Sequence, residues 1–196
     1  MNRAGSHPDL SALLRRSRRG DEASARALLD AIGPSMRLYA RSILRDHDLA
    51  EDAMQAALLA IFDATEREID QIRDAQGWLL AITRRKAISM ARADSRRRAR
   101  EQRATPPSPP SPHAVHTSHD EFRRVRDVVA SLPRRLREVI VLTSACGMTL
   151  DQAAHAMNAN RNTVAWWKRE ALDRLHTALT PEPILKKPFT KATPHG

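Results

Sequence analysis

"TLDQAAHAMNANRNTVAWWKREALDRL", residues 149–175, carries two short helical patterns separated by a few turn-forming residues. Thr149 and Gln152 have the S/T-x-x-E/Q spacing of a capping box, which predicts a helix start there. Asn158 ends that helix, because asparagine is the commonest non-glycine residue in the left-handed conformation a tight turn needs. After "ANRN" a second helix is predicted from near Thr163 to about Leu179. Ala154 is small where the two helices would cross, and Val164 and Trp167 are apolar where the second would pack back. Two short helices joined by a tight turn, the second basic, form the helix-turn-helix pattern. A plain α-hairpin in a bundle shares this outline, but the basic content of residues 161–174 fits a phosphate surface better.

Helix geometry separates the two adjacent tryptophans. Val164, Trp167, Ala171, Leu175 and Ala178 step by three and four along one face, so Trp167 is assigned to the core. Trp166 lies about 100° further round and points outward. An indole there suits a thymine methyl, a sugar edge or a protein partner. Lys168 lies beside the core, its stem packed and its ammonium in water.

The same pattern extends upstream. "EFRRVRDVVASL" reads as a helix, Pro133 opens "RRLREVIVLTSAC", and Gly147 closes it. Before these, "ATPPSPPSPHAVHTSH", residues 104–119, holds five prolines and many small polar residues. Proline removes a ladder donor, so this reads as an extended linker. It divides the chain into an N-terminal domain at 8–103 and a C-terminal domain at 120–180. The tail, 181–196, has no pattern and reads as disordered.

The N-terminal part is helical in period throughout. "DLSALLRRSRR" is stopped by Gly20, and "DEASARALLDAI" has acids in its first turn, as the helix dipole favours. Gly33-Pro34 is expected to break that helix before "SMRLYARSILR". "DLAEDAMQAALLAIFDATER" is expected to run as one long helix. In "AQGWLLAITRRKAISMARADSRRR", Trp78, Leu79, Ile82, the Lys86 stem and Met90 make one stripe, and Arg84, Arg85, Arg92 and Arg96 lie mainly off it. β-branched runs are nearly absent, and the expected fold class is all-α: two small helical domains, the second a helix-turn-helix domain.

The 196 residues carry 33 Lys+Arg and 23 Asp+Glu, a net charge of +10, which favours a polyanionic partner. No apolar run approaches the ~20 residues that cross a bilayer, and the N-terminus has no signal-peptide core. The expectation is a cytoplasmic protein with no membrane partner. The single cysteine, Cys146, excludes an internal disulfide and a cysteine-rich zinc site and reads as a small packed residue. The charge is uneven. Residues 46–74 hold nine acids and two bases; residues 84–103 hold nine bases and two acids. A protein that only coats nucleic acid has no need of the acidic block, which suggests a second partner of another kind.

At this point the chain resembles the sigma-70 family of RNA polymerase sigma factors, in its small extracytoplasmic-function (ECF) type. "DLAEDAMQAALLAIF" is similar to the family's acidic helix, written near D-A-E-D-L-V-Q-E-T-F. "GWLLAITRRKAISMAR" is similar to the helix that follows, W-L-x-x-I-A-R-N-x-x-x-D. "LPRRLREVIVLTSACGMTLDQAAHAMNANRNTV" is similar to the C-terminal motif L-P-x-x-x-R-E-V-x-x-L-x-x-x-x-G-x-x-x-x-E-I-A-x-x-L-x-x-x-x-x-T-V. The match runs in order over about residues 8–180.

The resemblance implies a transcription-initiation factor of two domains: region 2-like at 8–103 and region 4-like at 120–180. Its acidic helix would dock on the β′ clamp coiled coil of core RNA polymerase through Glu51, Asp52 and Gln55. The next helix and the loop before it would hold the −10 strand, with a base taken out of the stack, through Arg73, Arg84, Arg85, Lys86 and Ser89. The helix-turn-helix would read the −35 element in the major groove through Asn160, Arg161, Asn162, Thr163, Trp166, Lys168 and Arg169. The linker would thread the polymerase channel. The partners implied are core polymerase, promoter DNA and an anti-sigma protein; no catalytic residue, metal or cofactor is implied. This chain departs from the family at Ala56, Ala165, Trp167 and Lys168, and the loop "ATEREIDQIRDAQ" is more acidic than a strand pocket would be expected to be.

Two other readings share part of this pattern. A helix-turn-helix regulator that never meets polymerase core shares the C-terminal half but leaves the acidic helix unexplained. His113, His116 and His119 are spaced like metal ligands, but on a proline-broken linker they lack a rigid frame. No nucleophile–base pair or phosphate-cradling glycine loop stands out.

Overall fold

The computed structural model describes residues 9–104 and 120–180, all of whose regular elements are helical. In order they are α1 (Leu10–Arg18), α2 (Glu22–Leu44), α3 (His47–Phe62), α4 (Glu66–Asp70), α5 (Ala75–Ala104), α6 (Asp120–Ser131), α7 (Arg134–Ile140), α8 (Leu150–Met157) and α9 (Arg161–Leu179). A π-helical turn, Val141–Ala145, continues α7. Most of the proposed linker, the histidines at 113, 116 and 119, and the tail at 181–196 lie outside the described residues.

Side-chain caps set most helix starts, each worth roughly 1 kcal/mol. Asp9, Asp21 and Asp46 accept backbone N–H bonds at the heads of α1, α2 and α3. Thr65 with Glu68, and Thr149 with Gln152, close reciprocal capping boxes. Asn158 takes the left-handed conformation at φ 47°, as its place in the turn requires.

Three expectations about helix ends change. Pro34 lies inside α2, which runs unbroken from Glu22 to Leu44. Proline removes one backbone donor, and the burial of Leu28, Ile32, Met36, Tyr39 and Ile43 on both sides of it holds the helix together. The long acidic helix stops at Phe62, because Thr65 caps a new short helix. The last helix begins at Arg161, two residues earlier than expected, because Asn160 caps it by accepting from the Asn162 N–H at 2.8 Å.

In the N-terminal half α2, α3 and α5 form the core. α3 contributes Ala50, Ala53, Ala57 and Ile61, and α5 contributes Leu79, Leu80, Ile82 and Ala87. The three alanines let α3 approach its neighbours closely while its outer face stays in water. In the C-terminal half Val139 and Leu142 of the α7 segment pack with Met157 of α8 and Val164 and Ala171 of α9.

The halves are not separate beads. α2 packs on α7 and the π-helical turn, and α5 packs on α8, so one hydrophobic core is continuous across the seam. Polar bonds also cross it. Gln76 Nε2 donates to the Cys146 carbonyl at 2.8 Å, and Gln152 Nε2 donates to Asp74 Oδ1 at 3.1 Å. The Arg137 guanidinium donates across the seam to the Ser42 carbonyl and, within its own half, to the carbonyls of Ala130 and Leu132. No sequence pattern announced this seam.

Candidate nucleic-acid interface

The N-terminal half of α9 has a solvent face and a packed face. Val164 and Ala171 are fully buried; Asn162, Thr163, Trp166 and Arg169 are exposed. Trp166 is 59% exposed. Trp167 is half-buried against the core, and the Arg135 guanidinium stacks over its ring at 5.3 Å. The tryptophans therefore divide as helix geometry requires. Arg161 is exposed and pairs with Asp151 of α8 at 3.0 Å, a surface pair of little energetic weight that a phosphate can displace. Lys168 is half-buried and projects on the side away from Trp166. Asn160 is spent on the cap, with its side-chain oxygen engaged.

The second basic surface is on α5. Arg85, Ser89, Arg92 and Arg96 are all exposed and recur at i, i+4, i+7 and i+11, one stripe of the helix. With Arg84 and Ile88 they line a shallow groove of about 380 Å³. Arg92 and Arg96 were not among the expected strand contacts, although the same spacing would have found them. Lys86 is half-buried and Arg73 is exposed in the turn before α5. Arg73 instead lines a crevice of about 540 Å³ between the halves, with Asp74, Trp78, Gln152 and His155 among its walls.

Arg84 behaves differently. It lies about 100° around the helix from Arg85, and its side chain turns into the seam, where Nε meets Glu138 Oε2 of α7 at 2.7 Å. Glu138 is fully buried. The same oxygen accepts from the Tyr39 hydroxyl at 3.2 Å. Burial, and next the Glu138 charge, push the Tyr39 phenol well above its usual range. The Arg137 guanidinium is brought down to about 10 by burial, aided by Arg45, and so remains charged at neutral pH. Burial likewise pushes the Cys146 thiol up, which keeps it unreactive.

The acidic surface is on α3. Asp52, Gln55 and Leu59 are exposed on one stripe, with Leu59 67% exposed. Glu51 is half-buried, its Oε1 holding Arg37 of α2 at 2.6 Å, which fixes the carboxylate beside the stripe. Leu59 was not anticipated as part of this surface. A lone leucine carries no signal until its neighbours are known to face water.

Among the described residues no group of three acids, histidines or cysteines is placed to hold a metal ion. Among them, too, no helix is long and apolar enough to cross a membrane.

Comparison with known proteins assigns both halves. Residues 28–97 match the family pattern described as sigma-70 region 2, and residues 122–181 match sigma-70 region 4. The ECF RNA polymerase sigma factor SigK of Mycobacterium sp. (strain JLS) is 28% identical over 175 residues, covering 87% of this chain and 91% of the relative. SigK of Mycobacterium tuberculosis (strain ATCC 25618 / H37Rv) is 28% identical over 176 residues, covering 87% of this chain and 94% of the relative. Two solved structures share the fold. The sigma factor RpoE in complex with the anti-sigma factor NepR from Bartonella quintana has a TM-score of 0.62 at 23% identity, covering 81% of this chain and 98% of that one. CnrH in complex with the cytosolic domain of CnrY has a TM-score of 0.61 at 23% identity, covering 86% and 96%.

Proposed function

This chain belongs to the sigma-70 family as a sigma factor of the ECF type that directs transcription initiation, and we propose that three separate surfaces divide that work. On α3, Asp52 and Gln55, flanked by Glu51 and Leu59, dock on the clamp of core RNA polymerase. On α5, Arg85 and Ser89, extended by Arg92 and Arg96 and joined by Arg73, Lys86 and Arg84, hold the −10 strand. On α9, Asn162, Thr163, Trp166 and Arg169 face the −35 major groove, with Arg161 and Lys168 beside them and Asn160 fixing the helix start. Residues 8–103 and 120–180 are the corresponding region 2 and region 4 domains, and 104–119 the connection between them. The protein acts by binding, in the cytoplasm, and catalyses nothing itself. An anti-sigma protein is a further partner, by analogy with the two structural neighbours.

The observation that carries this reading is the separation of charge by helix. An exposed acid-bearing stripe on α3, an exposed arginine stripe on α5 and the exposed Arg161 and Arg169 on α9 belong to one chain whose two halves each match a sigma-70 region. A regulator that never meets polymerase would share α9 but has no use for the α3 stripe. Pull-down with purified core RNA polymerase tests the assignment. Retention of the full chain is expected, and duplex-DNA binding with no retention on core would overturn it.

A further inference from the structure

Trp167 has a second relationship besides its packing. The Arg135 guanidinium of α7 lies over its ring, with Cζ 5.3 Å from the ring centroid. Arg135 is exposed, and among the described residues that ring is its one specific partner. The adjacent Arg134 differs, because its Nε stands 3.3 Å from Glu138 one turn on. Nor does Arg135 serve its own helix. It lies in the first turn of α7, where the helix dipole disfavours a cation and no acid stands to balance it.

A ring holds a guanidinium by its face. The N–H donors lie in the guanidinium plane and point outward from its edge, so a cation held this way is fixed in place while its donors stay free. A carboxylate would also fix it, but by consuming those donors.

Two flanks border the exposed face of α9. At 100° per residue, Arg161 and Lys168 lie round one side of Trp166, and Thr163, Trp167, Glu170 and Arg174 lie round the other. On this second side the cation that α9 itself supplies is Arg174, and its Nε is tied to Glu170 Oε1 at 2.7 Å. Arg135, carried on Trp167, brings a free cation to that flank from α7. The major groove is about 12 Å wide and a helix with its side chains about 10–12 Å across, so a helix lying in the groove has a phosphate strand on each side.

We propose that Arg135 is a phosphate contact of the −35 duplex and that Trp167 is its positioning residue, holding the guanidinium at the groove edge opposite Arg161 and Lys168. This rests on the assignment of α9 to the −35 groove and adds a contact from a second helix. The adjacent tryptophans then act on DNA in different ways. Trp166 meets the groove itself, whereas Trp167 acts through the arginine it holds. A phosphate contact sets orientation and carries no sequence information.

The test is equilibrium binding of the full chain, with core polymerase, to promoter duplexes carrying a −35 element, over a salt series. Arg135→Gln should weaken binding about fivefold near 0.15 M salt and lower the slope of log affinity against log salt by about 0.9. The loss should be the same on every −35 variant. Arg135→Lys should restore the slope but only part of the affinity, because an ammonium lacks the planar fork. Trp167→Leu keeps apolar bulk without the ring face. It should weaken binding in the wild-type background and add nothing further in the Arg135→Gln background. The exposed Arg135 keeps the proposal testable by itself if Trp167→Leu does not fold. An unchanged slope for Arg135→Gln, with a lowered slope for Arg169→Gln, would overturn the contact. An equal loss from Trp167→Leu with and without Arg135 would overturn the positioning role. If neither arginine variant moves the slope, α9 is not on the duplex, and the proposal falls with the assignment of α9.

Discussion

Arg84 and Glu138 are 54 positions apart in sequence, yet they form a buried ion pair of 2.7 Å that joins the two halves of the chain. Such a pair contributes little net stability against an apolar alternative, because both charges lose water. It does fix geometry: an unpaired charge in the same place would be costly, so the halves meet in one register. That register places Tyr39 against Glu138, and it leaves the α3 and α9 surfaces facing solvent.

Tyr39 is the only tyrosine in the chain and reports on this register directly. Its phenol is held well above the usual value of 10 by burial and by Glu138, with Arg84 opposing. The unfolded chain ionises near 10 and the folded chain does not. The contribution to stability is thus complete below pH 10 and is lost as pH rises above 10 toward the folded value. Phenolate absorbance near 295 nm should be absent from folded protein at pH 10.5 and appear on adding denaturant. Half-ionisation near pH 10 in folded protein would mean that the ring is open to water.

The two tryptophans should separate in mutagenesis. Trp167→Ala removes half-buried ring area and the stacking of Arg135, and should cost about 2–3 kcal/mol in urea unfolding. Trp166→Ala should change stability by less than about 0.5 kcal/mol while altering preference among −35 sequences. Equal losses of stability would contradict the division of the helix into packed and reading faces.

On α5, Arg85→Gln, Arg92→Gln and Arg96→Gln should each weaken binding of the polymerase complex to promoter DNA opened over the −10 element. If each holds one phosphate of that single strand, the slope of log affinity against log salt should fall by about 0.7 per substitution. Electrophoretic mobility shifts across a salt series measure this. An unchanged slope would remove that residue from the strand surface.

On α3, Asp52→Arg should lower affinity for core polymerase by roughly tenfold or more, by setting like charge against a basic partner. The circular dichroism melt should stay near that of wild type, since Asp52 is exposed. Leu59→Ser should also weaken docking. Unaltered core affinity in both variants would place the docking surface elsewhere.

Much of this was legible in the sequence where one residue decides one local event. The Thr149–Gln152 capping box, the left-handed Asn158 and the opposed faces of Trp166 and Trp167 each depend on neighbours within a few positions. Pro34 misled because a local rule, the loss of one donor, was outweighed by burial along the whole of α2. The start of α9 moved because Asn160, which lies in the stretch read as turn, caps the helix. The partner of Arg84 was beyond reach. Nothing near residue 84 or residue 138 indicates that helices so far apart in the chain share a seam. The same holds for Leu59, whose exposure depends on where α2 and α5 pack.

As an ECF sigma factor this chain joins core RNA polymerase and directs it to promoters. Run-off transcription with purified core polymerase on a library of −35/−10 promoter sequences tests it most directly. Addition of the chain should produce transcripts from a distinct subset of promoters that core alone does not use, and Asp52→Arg should abolish most of them. Binding to duplex DNA without affinity for core, and with no transcripts gained, would contradict the account.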